Sequence, residues 1–230
     1  MRSATTAPDR QRLARIRVAI VDDHQLARAD MRDLLRSTRA LDVVGEAGDG
    51  REALSLCRDL RPDLVLVDIH MSGMDGLAFT RTIKDESPDI KVVIVTMHAS
   101  PGQQLEALRV GADSLVLKDA TRREILRVVR RAIAADPTLR VELAAQVVRL
   151  LLAISGDLSG SSAPLTLREC EVLQLLANGQ TARAIGRSLH ISATTLGAEV
   201  EDILAKLTTP DFGLGDRASG LSRTRCRVLT

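Results

Sequence analysis

The sequence has few aromatic residues, few cysteines and no long apolar run, and each shortage excludes a class of protein. Phe79 and Phe212 are the only aromatic residues among 230, which argues against a surface that stacks the bases of single-stranded nucleic acid. Cys57, Cys170 and Cys226 are far apart and odd in number, so they predict neither a metal site nor a disulfide framework. We therefore expect a reducing, cytoplasmic location.

Membrane-spanning and secreted proteins are disfavoured on similar grounds. The longest apolar stretch, residues 143–154, is interrupted by Arg149 and is shorter than the ~20 residues that cross a bilayer. The first 17 residues contain five arginines and no apolar segment, so they are unlike a secretory signal. We expect no membrane partner, and we expect residues 1–16 to form a disordered basic segment.

Short apolar stretches alternate with helical patterns along residues 17–135. This alternation predicts an α/β fold, in which a five-stranded parallel sheet is covered by helices on both faces. The carboxyl ends of parallel strands meet at one edge of the sheet, where open α/β folds bind their ligands. The polar residues that end or follow these stretches are Asp22, Asp23, Asp68, Thr96 and Lys118.

The chemistry of these five side chains is suited to a phosphoryl group and a metal ion. Carboxylate oxygens are the ligands that Mg²⁺ takes in proteins, and a carboxylate can also accept a phosphoryl group as a nucleophile. A lysine can pair with the product as a point charge. The sequence therefore predicts a site for Mg²⁺ and a phosphoryl group at the carboxyl edge of the sheet.

Residues 17–135 resemble the receiver domain of two-component response regulators. The resemblance implies a CheY-like, doubly wound sheet and a phosphoacceptor at Asp68. It also implies that Asp22, Asp23 and Asp68 bind Mg²⁺ together with the backbone carbonyl of His70.

The resemblance also assigns a conformational switch. Thr96 matches the switch hydroxyl of the family, and Lys118 matches its phosphate-contacting lysine. Two positions depart from the family pattern: Ser72 stands where a proline is usual, and Leu115 stands where an aromatic switch residue is usual. We expect the departure at Leu115 to weaken the aromatic coupling without affecting phosphorylation.

A linker, residues 136–164, follows the receiver. Residues 138–154 have apolar positions at helical spacing, which predicts an amphipathic helix that binds a partner or packs against the receiver. Residues 155–164 are rich in Ser, Gly, Asp, Ala and Pro and predict a flexible joint.

Residues 165–207 predict three short helices. Thr166 with Glu169 forms a capping box, and Gly179 ends that helix. The pattern resembles the LuxR-type helix-turn-helix of NarL/FixJ regulators, which implies a small all-α domain whose helix over residues 193–207 enters the major groove. The residues expected to contact DNA are Thr181, Ser192, Thr194, Thr195, Ala198 and Lys206.

This third helix departs from the family pattern in its charge. Gly197, Glu199, Glu201 and Asp202 are expected at outward positions, with Lys206 as the only basic residue. Because DNA is a dense polyanion, a helix with this net charge of −2 should be repelled. Residues 208–230 form a divergent basic tail, in which the arginines at 217, 223, 225 and 227 provide further phosphate contacts or form a solvated segment.

These observations predict a NarL/FixJ-type response regulator that is not an enzyme. A sensor histidine kinase phosphorylates Asp68, the protein forms a homodimer on activation, and the second domain binds duplex DNA to control transcription. The alternative is a degenerate output domain that acts through protein contacts, for example with another regulator. A phosphatase with an aspartyl nucleophile is disfavoured because such enzymes commonly carry a second acid where this chain has His70.

Overall fold

A five-stranded parallel sheet forms the amino-terminal half of the computed structural model, which describes residues 15–155 and 165–207. The strand order is β2-β1-β3-β4-β5, and every neighbouring pair is parallel. The strands are β1 (Ile16–Val21), β2 (Leu41–Ala47), β3 (Leu64–Val67), β4 (Lys91–Thr96) and β5 (Ser114–Leu117). The predicted α/β fold is confirmed. The predictions for the amino-terminal segment up to residue 14, for the joint after residue 155 and for the tail from residue 208 lie outside the described residues.

Helices cover both faces of the sheet, because the central strands are apolar on both sides. All four residues of β3 are buried, as are residues 92–96 of β4. The five helices of this half are α1 (Gln25–Arg36), α2 (Gly50–Leu60), α3 (Gly76–Glu86), α4 (Pro101–Arg109) and α5 (Arg122–Ile133). One apolar cluster joins the sheet to α2 and α3, and a second joins it to α1 and α5.

The loop between β3 and α3 turns back tightly beneath the carboxyl edge of the sheet. Asp75 caps α3, because its side chain accepts a hydrogen bond from the backbone N–H of Ala78 at 2.7 Å. The next residue, Gly76, lies so close to Asp68 that an added Cβ would be 1.9 Å from the Asp68 carbonyl oxygen. Only glycine at position 76 therefore permits this close approach of the start of α3 to the backbone of Asp68.

The predicted linker helix is α6 (Thr138–Ser155), and it is not amphipathic in the expected way. Seven of its residues between 139 and 148 are buried, and they point to several sides of the helix. It packs against α4 of the receiver and against all three helices of the carboxyl-terminal part. The predicted packing on the receiver is thus observed, and the same helix also forms the core of the second domain.

The corner between α5 and α6 is held by Arg131. Its guanidinium donates hydrogen bonds to Asp136 at 2.7 Å, to Thr138 at 2.5 Å and to Glu142 at 2.8 and 2.9 Å. These charged groups keep the pKa of Arg131 above its ordinary value, with the hydrogen bond to Glu142 as the largest cause. The direction in which α6 leaves the receiver is therefore fixed by hydrogen bonds as well as by apolar packing.

The carboxyl-terminal helices are α7 (Leu167–Ala177), α8 (Ala182–Leu189) and α9 (Ala193–Leu207). The predicted capping box at the start of α7 is confirmed, since Thr166 and Glu169 each bind the other's backbone N–H. Together with the apolar cluster that α7–α9 form around α6, this confirms the predicted all-α helix-turn-helix domain. Within the described ranges, no helix is long and apolar enough to cross a membrane.

The close approach at Gly76 gives a first testable prediction. Gly76→Ala should lower the free energy of unfolding by about 2–3 kcal/mol, because overpacking against backbone cannot relax easily. The matched control is Gly102→Ala in α4, where an added Cβ meets only Ser100 Oγ at 3.9 Å. This control should be neutral or stabilising by up to about 1 kcal/mol. Urea denaturation of both variants makes the comparison, and equal midpoints would contradict the packing described here.

Candidate functional site

Two buried carboxylates lie side by side at the carboxyl edge of the sheet. Asp22 directly follows β1 and Asp68 directly follows β3, and β1 pairs with β3 up to Val21 and Val67. The backbone N–H of Asp68 donates to the Val21 carbonyl at 2.9 Å, which continues the ladder by one residue. Each aspartate is only 5 % exposed.

Lys118 lies between these carboxylates. Its Nζ is 2.5 Å from Asp22 Oδ2 and 2.7 Å from Asp68 Oδ2, and its backbone N–H donates to the Thr96 carbonyl at 2.8 Å. Burial lowers the pKa of this amine, but the hydrogen bonds and negative charges of the two aspartates outweigh burial and keep the pKa above its ordinary value. The lysine is therefore charged and balances one of the two negative charges.

Asp23 adds a third carboxylate at the mouth of the site. Its Oδ2 accepts a hydrogen bond from the backbone N–H of Ser72 at 3.1 Å. Its Oδ1 is buried and receives no aligned hydrogen bond from the described residues, although His24 Nδ1 lies 2.7 Å away. One ligand atom each from Asp22, Asp23 and His24 lies within 4.8 Å of the others. The carboxylate oxygens fit a hard divalent cation such as Mg²⁺.

Thr96, the predicted switch residue, and His70, whose carbonyl was predicted to bind the metal, lie in different surroundings. Thr96 is fully buried, and its Oγ1 donates to the His98 carbonyl at 3.2 Å. The backbone N–H of His70 donates to Asp68 Oδ1 at 3.3 Å, whereas its ring lies at the surface. The structure therefore brings Asp22, Asp68 and Lys118 together, with Asp23 beside Asp22, and it directs the Thr96 hydroxyl to the loop after β4.

Leu115 lies at the junction of two apolar clusters. It is partly buried, and it packs against the cluster between the sheet and α2–α3 and also against the cluster around α6. The predicted switch position thus packs against the cluster through which α4, α6 and the carboxyl-terminal helices are joined. The sequence could not show this, because it does not reveal which residues α6 covers.

A cavity of about 440 Å³ opens beside the acidic cluster. It is lined by Asp22, Asp68 and Lys118 and, on the apolar side, by Met31 and Met97. Met97 is 68 % exposed. The cavity therefore lies against the buried carboxylates and reaches the surface at Met97.

Two of the residues predicted to contact DNA are helix caps. Thr181 Oγ1 accepts from the backbone N–H of Ala184 at 3.2 Å at the start of α8. Ser192 Oγ accepts from the backbone N–H of Thr195 at 3.0 Å at the start of α9. Thr194, Thr195 and Ala198 are exposed on one face of α9, as a groove-entering helix requires.

The predicted DNA contact Lys206 is engaged in a different interaction. Its Nζ lies 2.8 Å from both carboxylate oxygens of Glu169 at the start of α7. Lys206 holds the pKa of the Glu169 carboxyl below its ordinary value. Lys206 therefore connects two helices of its own domain.

The acidic positions of α9 also differ from the prediction. Glu199 is not outward but half-buried, and its Oε2 lies 3.5 Å from Arg168 Nε. Glu201 is exposed and pairs with Arg140 of α6 at 3.0 Å. Gly197 is half-buried beside Pro137, which would be 3.9 Å from an added Cβ. The predicted outward orientation is thus wrong for Gly197 and Glu199, because those positions face α7 or the corner before α6.

Arg183 and Arg187 of α8 did not enter the list of predicted DNA contacts. They are one helical turn apart, both are exposed, and neither forms an ion pair with the described residues. The sequence could have indicated this pair, because residues at positions i and i+4 of a helix lie on the same face.

Comparisons with known proteins identify both parts of the chain. Residues 18–130 match the model of the response regulator receiver domain, and residues 163–211 match the model of bacterial regulatory proteins of the luxR family. The transcriptional regulatory protein LiaR of Bacillus subtilis is 35% identical over 196 residues, which cover 85% of this chain and 92% of LiaR. The response regulator protein VraR of Staphylococcus aureus is 33% identical with the same coverage.

Solved structures agree with this division. The signal receiver domain of NarL from Mycobacterium tuberculosis is 35% identical with a TM-score of 0.51, covering 52% of this chain and 97% of that domain. The response regulator ChrA of a heme-sensing two-component system is 31% identical with a TM-score of 0.50, covering 84% of this chain and 90% of ChrA. The chain therefore belongs to the response regulators that join a receiver domain to a LuxR-type helix-turn-helix.

Proposed function

We propose that Asp68 accepts a phosphoryl group from a partner histidine kinase and that this modification controls transcription through the helix-turn-helix. The observation that carries the proposal is the position of Lys118 Nζ, 2.7 Å from the Asp68 carboxylate in a buried site with a second carboxylate. The proposed division of the chain is a receiver over 17–135, a linker over 136–164 and an output domain over 165–207.

The chemical step is a transfer between two side chains. One Oδ of Asp68 attacks the phosphorus of the kinase phosphohistidine, a P–O bond forms, and the P–N bond breaks with its electron pair leaving on the imidazole nitrogen. Lys118 remains charged and pairs with the phosphoryl oxygens. Asp22, Asp23, Asp68 and the His70 carbonyl would hold Mg²⁺, which neutralises negative charge at the phosphoryl group when it is bound.

Phosphorylation offers Thr96 a new hydrogen-bond acceptor. Its Oγ1, which donates to the His98 carbonyl in this structure, can donate to a phosphoryl oxygen instead. A movement of this loop would reach Leu115 on the neighbouring strand, and Leu115 packs against the cluster around α6, to which the helices of the output domain also belong. We propose this route for the signal, with activation completed by homodimer formation.

In the output domain, the exposed residues Thr194, Thr195 and Ala198 are the proposed base-reading positions. A second candidate function is output through protein contacts with another regulator. It is supported by the exposed acids Glu201 and Asp202 on the same helix and by the engagement of Lys206 with Glu169.

Phosphoryl uptake tests the receiver assignment. With Mg²⁺ and a small acyl phosphate, the protein should take up one phosphoryl group that is stable in acid and labile in base. Asp68→Asn should abolish uptake, because the amide is not a nucleophile. Intact-mass measurement and peptide mapping give the stoichiometry and the position.

The matched control is Asp59→Asn, which makes the same change at an exposed position of α2 and should label normally. Asp23→Ala should slow labelling and raise the Mg²⁺ concentration that labelling requires. A label that maps to another residue, or persists in Asp68→Asn, would overturn the assignment.

Binding to duplex DNA tests the output assignment. Arg183→Ala with Arg187→Ala should flatten the slope of log affinity against log salt by about 2 units, since each phosphate contact contributes about 0.9. Lys206→Gln should change this slope less, because its ammonium is neutralised by Glu169. Fluorescence anisotropy with a labelled duplex at several salt concentrations measures the slopes. A larger effect of Lys206→Gln would restore Lys206 as a direct DNA contact.

A further inference from the structure

The outer face of α5 in the receiver carries arginines that the phosphorylation site does not use. Arg123, Arg127 and Arg130 are exposed, and none forms an ion pair with the described residues. The acid nearest to them in sequence, Glu124, is hydrogen-bonded to the backbone N–H and hydroxyl of Thr121 at 3.0 and 2.7 Å, and these bonds, with a smaller contribution from the charge of Arg127, hold the pKa of its carboxyl below the ordinary value. We refer to Arg123, Arg127 and Arg130 as the α5 arginine stripe.

The spacing of the stripe matches a phosphate backbone. Positions i, i+4 and i+7 lie on one face of a helix and span about 10 Å along its axis. One strand of duplex DNA carries a phosphate every ~3.4 Å of helix axis. The stripe can therefore contact about three consecutive phosphates of a single strand.

The corner that follows α5 lies against the proposed DNA-reading helix. α5 ends at Ile133, and Pro137 at the following corner lies beside Gly197 of α9, 3.9 Å from an added Cβ. The carboxyl end of α5 is therefore followed directly by a contact with α9, although the two helices are far apart in the sequence.

The exposed face of α9 does not provide the cations that a DNA-binding surface needs. Its exposed residues among those described are Thr194, Thr195, Ala198, Glu201, Asp202 and Ala205. Phosphate contacts provide most of the sequence-independent affinity for DNA, so these contacts must come from neighbouring elements.

We infer that the α5 arginine stripe is a second DNA-binding surface, which contacts the phosphates of duplex DNA beside the segment that α9 reads. The inference rests on the proposed function of the output domain and adds the receiver to the DNA interface. Self-association through this face is disfavoured, because it would place the three arginines of one copy opposite the same three arginines of the other copy. An acidic protein partner would suit the charge but would not require the adjacency to α9.

Salt-dependent binding by the full chain tests the inference. The probe is a fluorescein-labelled 30-base-pair duplex of random sequence, since phosphate contacts do not depend on sequence. Arg123→Gln, Arg127→Gln and Arg130→Gln are combined in one variant. The matched control combines Arg39→Gln, Arg51→Gln and Arg61→Gln, three exposed arginines outside α5 that, like the stripe, form no ion pair with the described residues. Both variants change the net charge equally, and normal phosphoryl uptake on Asp68 verifies that each receiver is folded.

The stripe variant should flatten the slope of log affinity against log salt by about 2 to 3 units, because each lost contact removes about 0.9. The control should leave the slope within about half a unit of the wild type. Equal slopes for the two variants would overturn the inference while leaving DNA binding by the output domain intact. If the stripe variant keeps the wild-type slope but loses phosphotransfer from the kinase, the stripe binds an acidic protein partner instead. Failure of the wild-type protein to bind any duplex would overturn the proposed DNA-binding function together with this inference.

Discussion

The ammonium of Lys118 is held between the buried carboxylates of Asp22 and Asp68, and the rest of the site is arranged around these two contacts. Moving charges out of water is costly, so a buried carboxylate needs a cation or hydrogen-bond donors beside it. β1 and β3 bring the acids together, and β5 places the lysine between them through a backbone hydrogen bond to Thr96. Apolar residues of similar size would be cheaper at these positions. The cost of burying these charged groups supports the proposal that the site receives a phosphoryl group.

A second constraint comes from α6, which has too little polar surface to be exposed as a linker. A helix that is apolar on nearly all sides must be buried by its neighbours. In this structure α4 covers one side and α7–α9 cover the others, so Leu105 and Leu108 of the receiver share one cluster with Val172 and Ile185 of the output domain. The two domains consequently have a common core. α4 contacts α6, and α6 in turn contacts α7–α9, so a displacement of α4 would reach the output helices through α6.

The sequence predicts those features that depend on local patterns. Apolar runs that end in polar residues predict the strands and place the acidic residues at one edge of the sheet. The spacing of Thr166 and Glu169 predicts the start of a helix, and the structure has a helix start there. Features that depend on distant partners could not be predicted in this way. Examples are the pairs Glu169–Lys206 and Arg140–Glu201, whose members are separated by many residues. The direction of the Thr96 hydroxyl likewise depends on a loop carbonyl, at His98, that no spacing rule identifies.

The same limitation changes how the acidic helix α9 should be understood. Counted alone, its residues sum to a net charge of −2, but Glu199 faces Arg168 and Glu201 faces Arg140. Each half-exposed pair contributes little to stability, yet each places a positive charge beside a negative one and weakens the field that a phosphate would meet. Among the acids of α9, Asp202 alone lacks an ion-pair partner within the described residues. The departures from the family pattern at positions 199 and 201 are therefore explained by contacts within the molecule, whereas no contact explains the glycine at position 197. They do not by themselves exclude DNA binding, which depends instead on where the chain places its unpaired arginines.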